Sequence, residues 1–178
     1  QLETLERDGW PNYFDDQRFG SVSENGEFIA WHLVRGDFER ALKLALAEPY
    51  RFDRAEAKHE KAILREFWGR WDECKSELPR GHARSIVDYL RHHPTDFRGA
   101  IERLRTDLQG LYLSAYQSYL WNEIFSAWLA QSFAADDLVS VPLQIETLRA
   151  PRRLTDEQRA HWQAALLPLP AARWPFDP

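Results

Sequence analysis

Residues 108–132, LQGLYLSAYQSYLWNEIFSAWLAQS, are the longest stretch of this chain in which apolar residues return at helical spacing. Leu113, Tyr116, Leu120, Ile124 and Ala127 fall at steps of three and four residues, the spacing of one helix face. A second row, Leu108, Tyr112, Ala115 and Tyr119, lies beside the first. A helix apolar over so much of its circumference is expected at the centre of a domain.

Outward from this helix the chain reads as mainly α (α+β overall), with a few short strands. Phe28 to Leu33 lead to Gly36, a C-cap. Asp37 then caps a helix over Phe38 to Ala47, with Phe38, Ala41, Leu42 and Ala45 on one face. Pro49 stops it. A charged helix is predicted over 53–68, with Ala57, Ile63, Leu64 and Phe67 inward and Gly69 at its end. A short helix over 71–78 stops at Pro79-Arg80-Gly81, and the next, over 83–92, carries Ile86, Val87 and Leu90 inward. Pro94 breaks the pattern, and Thr95 reads as the N-cap of a helix over 97–104. At the N-terminal end, residues 1–8 read as the tail of a helix closed by Gly9, and 23–26 as a turn. Downstream of residue 132, Val139, Val141, Leu143 and Ile145 alternate, which predicts one strand over 138–148. Residues 149–153 read as a basic turn. Thr155-Asp156-Glu157-Gln158 reads as a capping box for a last helix through Leu166, and the tail at 167–170 as extended.

With 178 residues, 44% hydrophobic and 29% charged, the chain is neither disordered nor membrane-spanning in composition. No apolar run approaches the roughly 20 residues that cross a bilayer. The single cysteine, Cys74, excludes an internal disulfide framework and fits a reducing compartment, so the expected localisation is cytoplasmic. The chain begins with Gln1 and has no methionine, and is therefore expected to be part of a longer protein. A net charge of −5 argues against strong nonspecific binding to nucleic acid. The charge is uneven, however. Arg80, Arg84, Arg91, Arg98, Arg103 and Arg105 face only Asp88, Asp96 and Glu102 between residues 79 and 105. The cluster is either a basic binding face or an ordinary solvated helix surface.

The run at residues 11–20, PNYFDDQRFG, concentrates aromatic rings and side-chain donors. Rings stack on bases, while Arg, Asn and Gln donate to phosphates and base edges. Taken alone, Phe14 and Phe19 fit a core as well as a stacking platform, and Arg18 fits a pairing with Asp15 or Asp16 as well as a phosphate contact. No metal site is expected: His92 and His93 are adjacent and point to different sides of a helix, and Cys74 has no partner at ligand spacing. Neither a nucleophile elbow nor a glycine-rich phosphate loop occurs.

Three segments resemble one family, the TruD-type pseudouridine synthases. PNYFDDQRFG is similar to the family pattern PNYFG-x-QRFG, with Asp15 at the usual glycine. Residues 112–122, YLSAYQSYLWN, resemble the family's AYQSYL helix, and residues 28–46 its "kgdweeA" segment. The resemblance implies an isomerase that detaches uracil from ribose, rotates it and rejoins it through carbon, with RNA, and within RNA tRNA, as substrate. It implies no cofactor and no metal. Residues 1–20 would be a segment of the catalytic domain, and 21–178 part of a mostly helical TRUD-type insertion. By resemblance Asn12 and Phe14 belong to the active site, Phe14 stacking on the base and Asn12 organising hydrogen bonds around the nucleophile. That nucleophile is an Asp in an A-G-x-K-D-[KR] segment, which this chain lacks. It is expected outside the chain, leaving the chain alone inactive. Expected RNA contacts are Arg18, Arg80, Arg84, Arg152 and Arg153. The rival reading is a noncatalytic RNA-binding or helical protein-interaction module.

Overall fold

Two helices near the start show how local signals set this fold. In the computed structural model, which describes residues 7, 9, 11–50, 53–152 and 154–170, helix α1 (Ile29–Arg35) ends at Gly36 with φ +78°. Its amide caps the carbonyls of His32 and Leu33. The left-handed backbone there favours glycine. Asp37 follows, and its carboxylate accepts from the Arg40 amide to start α2 (Phe38–Leu46).

The chain divides into two compact units. One is Ser21–Tyr116. It holds α1 and α2, then α3 (Ala55–Glu66), α4 (Trp71–Glu77), α5 (His82–His92), α6 (Phe97–Ile101) and the first part of α7 (Thr106–Ser132). Its core is mostly aliphatic, with Leu42, Leu44, Leu64, Leu78, Ile86 and Leu90 buried beside Trp71 and Tyr112. Each such side chain stabilises by roughly 1.5–3 kcal/mol relative to exposure. Of the residues expected inward over 53–68 and 83–92, Ile63, Leu64, Ile86, Val87 and Leu90 are in this core, Phe67 packs against it and Ala57 is only partly buried.

Helix α6 differs from expectation. Asp96, not Thr95, caps it by accepting from the Gly99 amide at 2.8 Å, and it stops at Ile101 rather than at 104. Arg103 then turns back to donate to the Gly99 carbonyl.

The other unit is Gln1–Gly20 with Gln117–Pro178. It contains the rest of α7, a hairpin of β1 (Leu138–Pro142) and β2 (Thr147–Pro151), and α8 (Asp156–Ala164). The single strand expected over 138–148 is this antiparallel hairpin, with Leu138 opposite Pro151 and Val141 opposite Leu148. Residues 143–146 turn the chain, closed by the Leu143 amide on the Glu146 carbonyl at 2.8 Å. Pro142 has no amide proton to extend the ladder. The buried side chains are accordingly Leu138, Leu148 and Ala150 instead of Val139, Val141, Leu143 and Ile145. Arg149 to Pro151, expected as a turn, lie in β2. Thr155 and Gln158 form the expected capping box, and α8 ends at Ala164. The expected helix tail at residues 1–8 lies, apart from Arg7, outside the described residues.

Of the two apolar rows expected on α7, the second is buried at Tyr112 and Ala115, while the first is not. Leu113, Ile124 and Ala127 are exposed. From Gln117 onward the buried line is Ser118, Trp121, Asn122, Phe125, Ser126 and Leu129. Three of these are polar, which hides the stripe from an apolar count. Buried polar groups require partners, and these partners define the candidate site.

Candidate functional site

One turn of α7 holds the whole PNYFDDQRFG segment. Ser118, Trp121 and Asn122 stand at helical i, i+3 and i+4 positions and so share a face. The Trp121 indole Nε1 donates to the Asn12 carbonyl at 2.9 Å. The Asn122 side chain takes both main-chain groups of Phe14. Its Oδ1 accepts from the Phe14 amide, and its Nδ2 donates to the Phe14 carbonyl, each at 2.9 Å. Ser118 Oγ accepts from Arg18 Nε at 3.2 Å. Asn122 is fully buried, so these bonds are made away from competing water.

The hairpin holds the same segment from its other end. The Tyr13 hydroxyl donates to the Arg149 carbonyl at 2.8 Å. Asp16 Oδ1 accepts from the Gln144 amide at 2.9 Å. Glu146 Oε1 accepts from Asn122 Nδ2 at 2.7 Å. Burial pushes the Tyr13 hydroxyl up to about 12. Burial also pushes the Glu146 carboxyl up to about 7. The Asn122 bond acts in the opposite direction, and the neighbouring Glu123 and Asp16 carboxylates add to the rise.

Asp15, at the position expected to be glycine, has φ −89° and ψ 176°. That is ordinary extended backbone, so the substitution carries no conformational strain. The carboxylate accepts from the Gln17 amide at 3.1 Å and opens a short 3-10 turn, Asp16–Phe19. Phe19 packs inside, while Phe14 is half-buried. The Arg18 guanidinium lies 5.4 Å from the Phe14 ring centroid, a cation–π distance. Beside Asn12 opens a cleft of about 280 Å³ walled by Trp121, Phe125, Trp128 and Trp162.

Asn12, Phe14 and Arg18 are therefore held together on one support. Arg152 is in the same unit, exposed, with its amide on the Asp137 carbonyl at 2.7 Å. Arg153 lies outside the described residues. Arg80 and Arg84 belong to the other unit. Arg80 is exposed, but Arg84 donates to the Leu78 carbonyl at 2.8 Å. The remaining arginines of that stretch are largely neutralised: Arg91 pairs with Asp72 and Asp88, Arg98 with Glu102, and Arg105 with Asp107. A solvated helix surface is thus the better description of residues 91–105. Among the described residues no cluster of three or more His, Cys, Asp or Glu could hold a metal ion, and no helix is long and apolar enough to cross a membrane.

The family model for tRNA pseudouridine synthase D (TruD) matches residues 1–161. The chain belongs to the TruD family. It is 34% identical over 154 residues to a probable tRNA pseudouridine synthase D 1 of Methanococcus maripaludis, an alignment covering 84% of this chain and 39% of that protein. A probable tRNA pseudouridine synthase D 2 of Methanocaldococcus jannaschii is 30% identical over 84% of this chain and 36% of its own. The tRNA pseudouridine synthase D of Aquifex aeolicus is 37% identical over 67% of this chain and 30% of its own. The chain thus spans just over a third of the length of the first two of these TruD relatives. No solved structure matches it.

Ser118 and Glu146 are not among the expected site residues. Ser118 had a signal, since with Trp121 and Asn122 it marks one face of α7. Glu146 had none, because its partner lies 24 residues away.

Proposed function

We propose that the full-length protein isomerises uridine to pseudouridine in RNA, with tRNA as its substrate. The observation that carries this reading is the three-point support of Asn12, Phe14 and Arg18 by one turn of α7. Family membership supplies the reaction; the geometry supplies a reason for the motif. An enzyme that acts on a base must take it out of its stack and hold it on a platform. Phe14 is suited to that role, because its main chain is fixed on both sides while its ring keeps exposed surface. Asn12 presents an exposed side chain beside an aromatic-walled cleft, where an amide reads the edge of a planar base.

In this reading residues 1–20 contribute to the catalytic domain, and the mostly helical remainder belongs to the TRUD-type insertion. The nucleophilic Asp comes from a part of the protein outside this chain. The chain supplies platform and positioning, and its carboxylates perform no covalent step. Arg18, Arg80 and Arg152 are proposed phosphate contacts. Arg84 and Arg153 complete the proposed set, although Arg84 also binds the Leu78 carbonyl.

Tritium release from RNA labelled at uridine C5 tests the proposal, because forming the new carbon bond expels that hydrogen. The full-length protein is expected to release tritium from tRNA, and the 178-residue chain alone to release none. Turnover by the chain alone would place the nucleophile within it. Salt-dependent RNA binding without turnover by the full-length protein would favour a noncatalytic RNA-binding module instead.

A further inference from the structure

We infer that Glu146 is a positioning residue for the Phe14 platform, acting through the side-chain amide of Asn122. The inference rests on the reading of Phe14 as the ring that stacks on the target base. Its basis is the direction of the hydrogen bonds. Asn122 has an acceptor and a two-proton donor on opposite corners of one amide. Phe14 requires the acceptor toward its N–H and the donor toward its C=O. Turning the amide over would set oxygen against oxygen and nitrogen against nitrogen.

Glu146 opposes that turn. Its Oε1 takes the second proton of Asn122 Nδ2 at 2.7 Å. A turned amide would point its oxygen at the ionised carboxylate, so both Phe14 bonds would be lost and a repulsion gained. With the amide fixed, the Phe14 main chain is fixed, and so is the root of its ring.

Glu146 occupies this place at a cost. Its second oxygen, Oε2, is buried with no hydrogen-bond partner among the described residues. A buried polar atom without a partner is destabilising, so a group kept there for stability alone would be better apolar. The neighbouring Glu123 and Asp16 carboxylates raise the cost of its charge. What the carboxyl provides that an apolar side chain could not is the single acceptor atom on Asn122.

The test uses the full-length protein in single-turnover and steady-state tritium release. Glu146→Ala is expected to lower kcat about tenfold while leaving KM for RNA within about twofold. Glu146→Gln keeps an amide oxygen at the same reach and is expected to recover most of that loss. Glu146→Met fills the same volume without an acceptor, and is expected to behave as Ala does even if the Ala variant folds poorly. In the Asn122→Ala background, removing Glu146 should add little, because the intermediary is already gone. Unchanged kcat in both the Ala and Met variants overturns the inference. So does a loss that Gln fails to recover, or a change confined to melting temperature. An inactive wild-type protein would overturn the pseudouridine synthase reading itself, and is distinguished by leaving nothing for the variants to lower.

Discussion

The two compact units are stabilised in different ways. Residues 21–116 rest on a mostly aliphatic core in which leucines, isoleucines and small residues fill the space between short helices, with Trp68, Trp71 and Phe97 in ring contact at its edge. The unit of residues 1–20 and 117–178 rests on aromatic rings and a few directed hydrogen bonds. Phe125 meets Trp121, Tyr13, Trp128 and Trp162 with centroids 5.0–6.0 Å apart. Beside these rings, buried Asn122 bonds both main-chain groups of Phe14. The first kind of core tolerates exchange of one apolar residue for another of similar volume. The second depends on particular atoms in particular directions. The proposed base platform, Asn12 and Phe14, lies in the unit with the directional core.

Three substitutions sharpen that contrast. The largest effect is expected for Leu90→Ala, in the aliphatic unit. Leu90 is fully buried, and a cavity of that kind costs about 3 kcal/mol. Hydrogen exchange should show the loss in amides of α4, α5 and α6. Protection of the Phe14 amide would be a poor reporter of this change, and an equal loss there would erase the distinction between the two kinds of core.

Asn122→Ala should cost about 2 kcal/mol, because it leaves two main-chain groups of Phe14 without their partners. The Phe14 amide should lose its protection first. A variant in which that amide stays protected would show that the clamp is dispensable.

The smallest effect is tied to pH. The Glu146 carboxyl in the folded chain titrates near 7, above its ordinary 4.5. The folded state therefore holds its proton more tightly than the unfolded state between those values. Stability falls as pH rises through that window and is flat on either side. Glu146→Gln should remove the fall. At pH 8 it should raise stability by about 1 kcal/mol, less than the full shift implies because the side chain is only partly shielded from water. Near pH 4 it should change little. Thermal melts at the two pH values provide the check, and an equal gain at both would assign the effect to packing.

Much of the aliphatic unit was legible in the sequence, because its signals are local. Gly36, Asp37, Pro49 and Gly69 punctuate helices whose inward residues repeat at three and four. Thr155 and Gln158 were legible for the same reason. The failures have physical causes as well. In the second half of α7 the buried face carries Ser118, Asn122 and Ser126, so the first apolar row points elsewhere, although Tyr112 and Ala115 of the second row are buried. In the hairpin, Leu143 and Ile145 continue an alternation that Pro142 and the turn have already interrupted. At the site, Asn12, Phe14 and Arg18 were singled out through a resemblance. Their supports on α7 are 100 or more residues away, and no local pattern joins them.

The Asn122 clamp has one more consequence. A side-chain amide that meets both an N–H and a C=O of one residue imitates the edge of a neighbouring strand, but for a single residue only. A true ladder would send successive side chains to opposite faces. Here no ladder imposes that alternation, and the adjacent rings of Tyr13 and Phe14 both lean on the same aromatic cluster. The loop thereby gains the rigidity of a sheet without adopting its pleat.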